Sequence, residues 1–238
     1  MFSSNRARVM AAGIAALVIG GGSYGIVTAA SSGATTTTAA SSNGHPVAGG
    51  SGTGAGGSNA RSGPAAGGTV GTVSGISASG FTLTTSAGQK VTVQEAASTS
   101  YEKGSSPASA SAISTGEAVL VLGTTSSTTI TATQVIVPPP ASSGTSPEGQ
   151  VIPYAKGSKG STQQVGQIPS DYSQGSGTIV GGTTADQATE AALAAYPGGI
   201  VDRVVALGNG DYEVHYIGVN WPHHIFVNQD FQVIGANS

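Results

Sequence analysis

Three of the chain's four histidines, His215, His223 and His224, fall close together near the C-terminus, with carboxylates at Asp202 and Glu213 nearby. Imidazoles on neighbouring strands are ligands for transition-metal ions, and a carboxylate can complete such a set. Here the spacing argues against convergence. Successive residues of a strand point to opposite faces, so a strand through His223 and His224 sends them apart unless the Pro222 region bends. The sequence therefore predicts no metal site and no cofactor. Nor is a nucleophile arranged: serines abound, but in linker-like context and without a Gly-x-Ser-x-Gly elbow. The glycine-rich tract at 175–182 leads into a helix yet lacks the Gly-Lys-Ser/Thr ending that cradles a phosphate. The expectation is a protein that is not an enzyme.

The elements that must hold these residues are legible from Thr183 onward. Thr183 and Thr184 precede Asp186 and Gln187 at the spacing of overlapping capping boxes, which predicts a helix start. Ala185, Ala188, Ala192 and Tyr196 then line one face, with Leu193 beside them, until Pro197-Gly198-Gly199 stops the helix. Residues 200–207 are rich in branched side chains and end at Gly208-Asn209-Gly210-Asp211, the signal for a hairpin with a type I′ turn. Residues 212–217 return antiparallel, and 223–227 and 231–234 read as further short strands around Asn228-Gln229-Asp230.

That order, with Tyr196-Pro197-Gly198-Gly199, Gly210-Asp211-Tyr212-Glu213-Val214-His215 and the closing run from Phe226 to Gly235, resembles the PepSY domain, a small module of peptidase propeptides and bacterial envelope proteins. The resemblance covers roughly a quarter of the chain, and its motifs are patterned rather than catalytic. Asn220-Trp221-Pro222 stands where many such domains carry a further Asp-Gly turn. It implies a module that binds and modulates a peptidase.

At the other end, Arg6 and Arg8 precede an apolar run from Val9 to Ile19 that resumes through Ile26-Val27 after three glycines. Residues 1–30 are read as a signal peptide or, uncleaved, as a single-pass membrane anchor through residues 9–30; both place the remainder outside. The protein is thus expected at the cell membrane with its C-terminal part outside, or secreted into the cell wall. The absence of cysteine excludes disulfides and an acyl-cysteine anchor. Only 8% of residues are charged, and 38 are glycine, so the chain reads as tethered small domains rather than one large core.

Residues 31–68 are almost wholly Ser, Gly, Ala and Thr and are read as a disordered spacer; 138–182, opening on three prolines, are read as a second linker. Between them, 69–137 alternates in the strand period: Phe81, Leu83 and Thr85 on one face, Val91 and Val93 after a turn, then Val119 and Val121 opposed to Ala118, Leu120 and Leu122. Five short strands predict a small barrel. Gly71-Thr72-Val73, Phe81-Thr82-Leu83-Thr84, Gly116-Glu117 and Ile130-Thr131-Ala132-Thr133-Gln134-Val135 resemble an uncharacterised bacterial envelope domain with an OB-like fold, which implies no activity. Nucleic acid is not expected as a partner, because the segment has only Lys90 and Lys103 against Glu95, Glu102 and Glu117, and only Phe81 and Tyr101 to stack.

The fold class is accordingly α+β and multi-module: signal or anchor helix, five-stranded barrel-like domain, flexible linkers, and a PepSY-like helix plus antiparallel sheet at 183–238. From Asp186 onward six carboxylates face Arg203 alone, a net of −5, which favours a basic protein or peptide, or a peptidase, as partner. Its binding residues are expected to be Asp211, Glu213, His215, Trp221, His223 and His224. The alternative is a structural or adhesive wall protein that makes glycan or surface contacts through its spacers.

Overall fold

The computed structural model describes residues 63–137 and 163–238, so the tract read as an export segment, the tract read as a first spacer up to residue 62 and the proline-led part of the tract read as a second linker lie outside the described residues. The described residues fall in one compact unit. They are mostly β, with a closed five-stranded barrel and one α-helix. None of their helices is long and apolar enough to cross a membrane.

The barrel uses β1 (Ala65–Ser77), β2 (Gly80–Thr84), β3 (Lys90–Lys103), β5 (Ala118–Ser126) and β6 (Thr129–Val137). A two-residue strand, β4 (Ser106–Pro107), extends the end of β3 before a single 3-10 turn at Ala110–Ala112. The strands close in the order β1-β2-β3-β6-β5-β1, antiparallel throughout except for the parallel pair β3–β6. Its core follows the expected alternation. Phe81, Leu83, Val91, Val93, Val119 and Val121 point inward while Thr82, Lys90 and Thr92 face solvent. The first strand begins at Ala65, inside the tract read as spacer.

The second part contains β7 (Gln164–Gly166), β8 (Thr178–Val180), helix α1 (Gly182–Ala195), β9 (Ile200–Ala206), β10 (Tyr212–Ile217), β11 (His224–Val227) and β12 (Val233–Asn237). Strands β9 to β12 form an antiparallel meander. The tract read as linker supplies both its flanking strands, since β7 pairs with β12 and β8 with β9. Ala185, Ala188, Ala192 and Leu193 of α1 pack on Val204, Val214, Ile225 and Ala236, and the small alanine face lets helix and sheet approach closely.

Two local expectations are corrected. The helix is capped by the extended backbone of Gly181 without a side-chain hydrogen bond, so Thr183 and Thr184 lie inside its first turn and cap nothing. In the Asn209-Gly210 hairpin only Gly210 has positive φ, at 89°. Gly210 N–H donates to the Leu207 carbonyl and Leu207 N–H to Asp211, which makes a three-residue loop with glycine in the left-handed position in place of a type I′ turn.

The barrel and the meander are not held apart. Strand β1 also pairs with β9, Gly68 opposite Val201 and Thr69 opposite Ile200, and the strands run on as one sheet. The Thr69 hydroxyl donates to the Gly199 carbonyl at 2.9 Å across this seam. A side chain at Gly67 would collide with the Val201 carbonyl, so glycine is what permits β1 to serve both halves. Ile200 lies in the barrel core and Val201 in the meander core.

Candidate functional site

The pairing of β9, β10 and β11 aligns a row of side chains on the face of the meander opposite α1. Arg203 stands opposite His215, and His215 opposite His224. The register shifts after His215, so that Asp202 and Arg203 together oppose it. This bulge turns Asp202 onto the same face as Arg203, which regular alternation would forbid. Glu213, two residues before His215 on β10, joins that face by the period-2 rule.

The three histidines converge. His215 Nε2 lies 3.1 Å from His223 Nε2. Ring centroids are 4.4 Å apart for His215–His223, 4.7 Å for His223–His224 and 5.2 Å for His215–His224. One nitrogen from each imidazole lies within 4.8 Å of the others. The expectation that His223 and His224 diverge is corrected here, and with it goes the argument from strand alternation against a shared site. Strand β11 begins only at His224, and His223 sits in the bend after Pro222, where alternation does not apply.

Each imidazole is oriented by an acceptor at its other nitrogen. His215 Nδ1 lies 2.5 Å from Asp202 Oδ1, and His224 Nδ1 lies 2.7 Å from Glu213 Oε1. His223 is hydrogen-bonded to the backbone of Val219, and since its Nε2 faces His215 the donor is Nδ1. Proton positions assigned from these partners put all three N–H groups on the outside of the cluster. With those N–H groups outside, the 3.1 Å contact between His215 Nε2 and His223 Nε2 is a hydrogen bond when one of the two rings carries a second proton, and with neutral rings it leaves the inner nitrogens open to a cation.

Burial and the two neighbouring imidazoles hold the His223 ring down to about 4, so it is neutral and free to donate its lone pair at neutral pH. Tyr172, from the segment between β7 and β8, covers the far side. Its ring stands 5.7 Å from that of His224 and 4.7 Å, edge-on, from Phe226. Burial, then the charge of Glu213, pushes its phenol far above the ordinary range. Asp202 spends its second oxygen on Arg203 Nη1 at 2.9 Å.

On the near side, His215 and His223 border a cleft of about 570 Å³. Its other walls are Gly63, Gln89 from the β2–β3 turn, Thr125 and Ser126 at the end of β5, Ser127 and Thr128 from the β5–β6 turn, and Asp202, Arg203, Ile217 and Gly218. The cleft therefore lies where barrel and meander meet.

Of the six residues expected to bind a partner, four are buried. Glu213, His215, Trp221 and His224 are 3%, 5%, 1% and 4% exposed. Glu213 is turned inward to His224, and Trp221 packs edge-on to Tyr196 in the helix-side core. His223 is half-buried and Asp211 partly exposed at the hairpin. Sequence reasoning named Asp202 as an available carboxylate but missed Arg203, Tyr172 and Gln89. Arg203 carried one signal, as the lone cation after Asp186. Tyr172 carried none, being set in a tract of linker composition. Comparison of the chain with known protein families, with curated proteins and with solved structures finds no match.

Proposed function

We propose that this chain binds a divalent transition-metal ion through His215, His223 and His224, the fourth position of the ion opening on the cleft. The observation that carries the reading is the convergence of three imidazole nitrogens whose opposite nitrogens are all bonded to acceptors, Asp202, Glu213 and the Val219 carbonyl. Such outer partners fix the tautomer of a ligating histidine and raise its basicity. Distances fit with modest closure. A tetrahedral ion with metal–nitrogen bonds of about 2.0–2.1 Å holds its ligand nitrogens about 3.3–3.4 Å apart, against 3.1 Å for the closest pair and 4.8 Å at most here. Three histidines with an open position suit zinc, copper, nickel or cobalt, which imidazole favours, rather than calcium or magnesium.

In this reading the protein is exported by residues 1–30, is held at or beyond the membrane, and presents an OB-like barrel fused to a PepSY-like helix and sheet whose task is ion binding, not catalysis. The acidic partner-binding surface loses Glu213 to His224, so peptidase binding has less support than the ion. Calorimetric titration of the metal-stripped full chain with zinc, copper, nickel and cobalt in turn tests the proposal. One ion per chain is expected, and His215→Ala and His223→Ala should each weaken binding at least a hundredfold. A chain that takes up none of the four ions, or binds them equally well after both substitutions, overturns it.

A further inference from the structure

We infer that the cleft takes a small carboxylate-bearing molecule, one carboxylate oxygen at the open position of the bound ion and the other against the guanidinium of Arg203. This deepens the metal-binding proposal and rests on it. Two observations, and a charge count that follows from the proposed ion, point to an anion there. First, Asp202 holds His215 on one oxygen and Arg203 on the other, which places imidazole and guanidinium side by side on the cleft wall. Second, Arg203 lines the cleft and is only 6% exposed, and its buried Nε has no hydrogen-bond partner among the described residues. A buried donor left unpaired costs free energy that an incoming acceptor would recover, and guanidinium is matched to carboxylate by its planar fork. Third, the charges balance for a monoanion. A divalent ion and Arg203 together carry three positive charges, Asp202 and Glu213 carry two negative ones, and neutral imidazoles add none. One negative charge remains to be supplied from outside.

The walls say more about the body of the ligand. A cleft of about 570 Å³ lies within the size range of small-molecule sites, which runs from about 300 to 1,000 Å³. Its lining includes Ser126, Ser127, Thr128 and Gln89, residues whose side chains can hydrogen-bond an organic molecule.

The test uses the full chain saturated with cobalt(II), whose visible bands respond to a change of ligand at the ion. Sodium acetate, acetamide and sodium perchlorate are titrated at constant ionic strength. Acetate should shift the bands saturably, while acetamide and perchlorate should leave them unchanged. In cobalt-saturated Arg203→Lys, which keeps the charge and loses Nε, acetate affinity should fall at least tenfold. Cobalt bands that ignore acetate would overturn the inference and leave the metal proposal standing, as would acetate affinity equal in the two proteins. Equal responses to acetate and perchlorate would reduce the site to an unselective anion contact and likewise overturn it. If the wild-type chain shows no bound cobalt, both readings fall together. If Arg203→Lys does not fold, Arg203→Gln takes its place, with the same expected fall in acetate affinity.

Discussion

Lowering the pH from 7.5 toward 4 with a chelator present tests the histidine cluster without any metal. His223 is held neutral by burial and by two neighbouring imidazoles, down to about 4 from an ordinary 6.5. A group with a depressed folded value binds fewer protons in the folded chain than in the unfolded one between those two points. Stability is therefore highest above 6.5 and is lost as pH falls through the window to about 4. The full interval corresponds to about 3 kcal/mol. His223 is half-buried, and solvent screening reduces the expected loss to about 2 kcal/mol. For a domain of this size that is a fall of roughly 4–8 °C in the unfolding midpoint.

Asp186 and Glu190, whose carboxyls burial holds above their ordinary range, act in the opposite sense at the acid end of the window. The clean comparison is thus between pH 6.5 and 5, by chemical denaturation of the wild-type chain and of His223→Gln. The wild type should lose stability with the steeper slope, and the difference between the curves should grow toward acid. Parallel curves, or a wild type that gains stability on acidification, would refute the claim that His223 is buried uncharged among other imidazoles.

Asp202→Asn and Glu213→Gln should each lower zinc affinity about 10- to 100-fold, the usual effect of losing an outer partner of a ligating histidine, as read by competition with a coloured chelator; unchanged affinity would mean that the carboxylates do not orient the rings. Gly67→Ala should destabilise the described unit by more than 1 kcal/mol, because the new methyl meets the Val201 carbonyl at the seam of the two halves; two separate unfolding transitions in that variant would show the seam opened. The Thr183→Ala, Thr184→Ala double variant should change stability by no more than about 0.5 kcal/mol, since Thr183 is exposed, Thr184 is only partly buried and neither caps the helix; a loss near that of a removed cap, about 1 kcal/mol, would place the helix start where the sequence pattern put it.

The sequence alone determined whatever depends on neighbours along the chain. Alternation at Phe81-Leu83 and Val91-Val93 announces strands with one face inward, and the barrel has that inward face. The three- and four-residue steps of Ala185, Ala188 and Ala192 announce a helix with an alanine stripe, and Pro197 ends it. Composition misled only where a segment's order comes from outside it. Gln164–Gly166 and Thr178–Val180 have too little apolar surface to order themselves, but the edges of β12 and β9 offer them backbone hydrogen bonds. The site was beyond local reading for the same reason. A bulge is a mismatch between two strands, so no feature of either strand reveals that Asp202 turns to join His215. The strand boundary at His224 depends on where β12 and β10 can pair with it, and that boundary releases His223 from alternation. The residue types for a metal centre were visible in the sequence. Their convergence was decided by the register of four strands and by a bend between two of them.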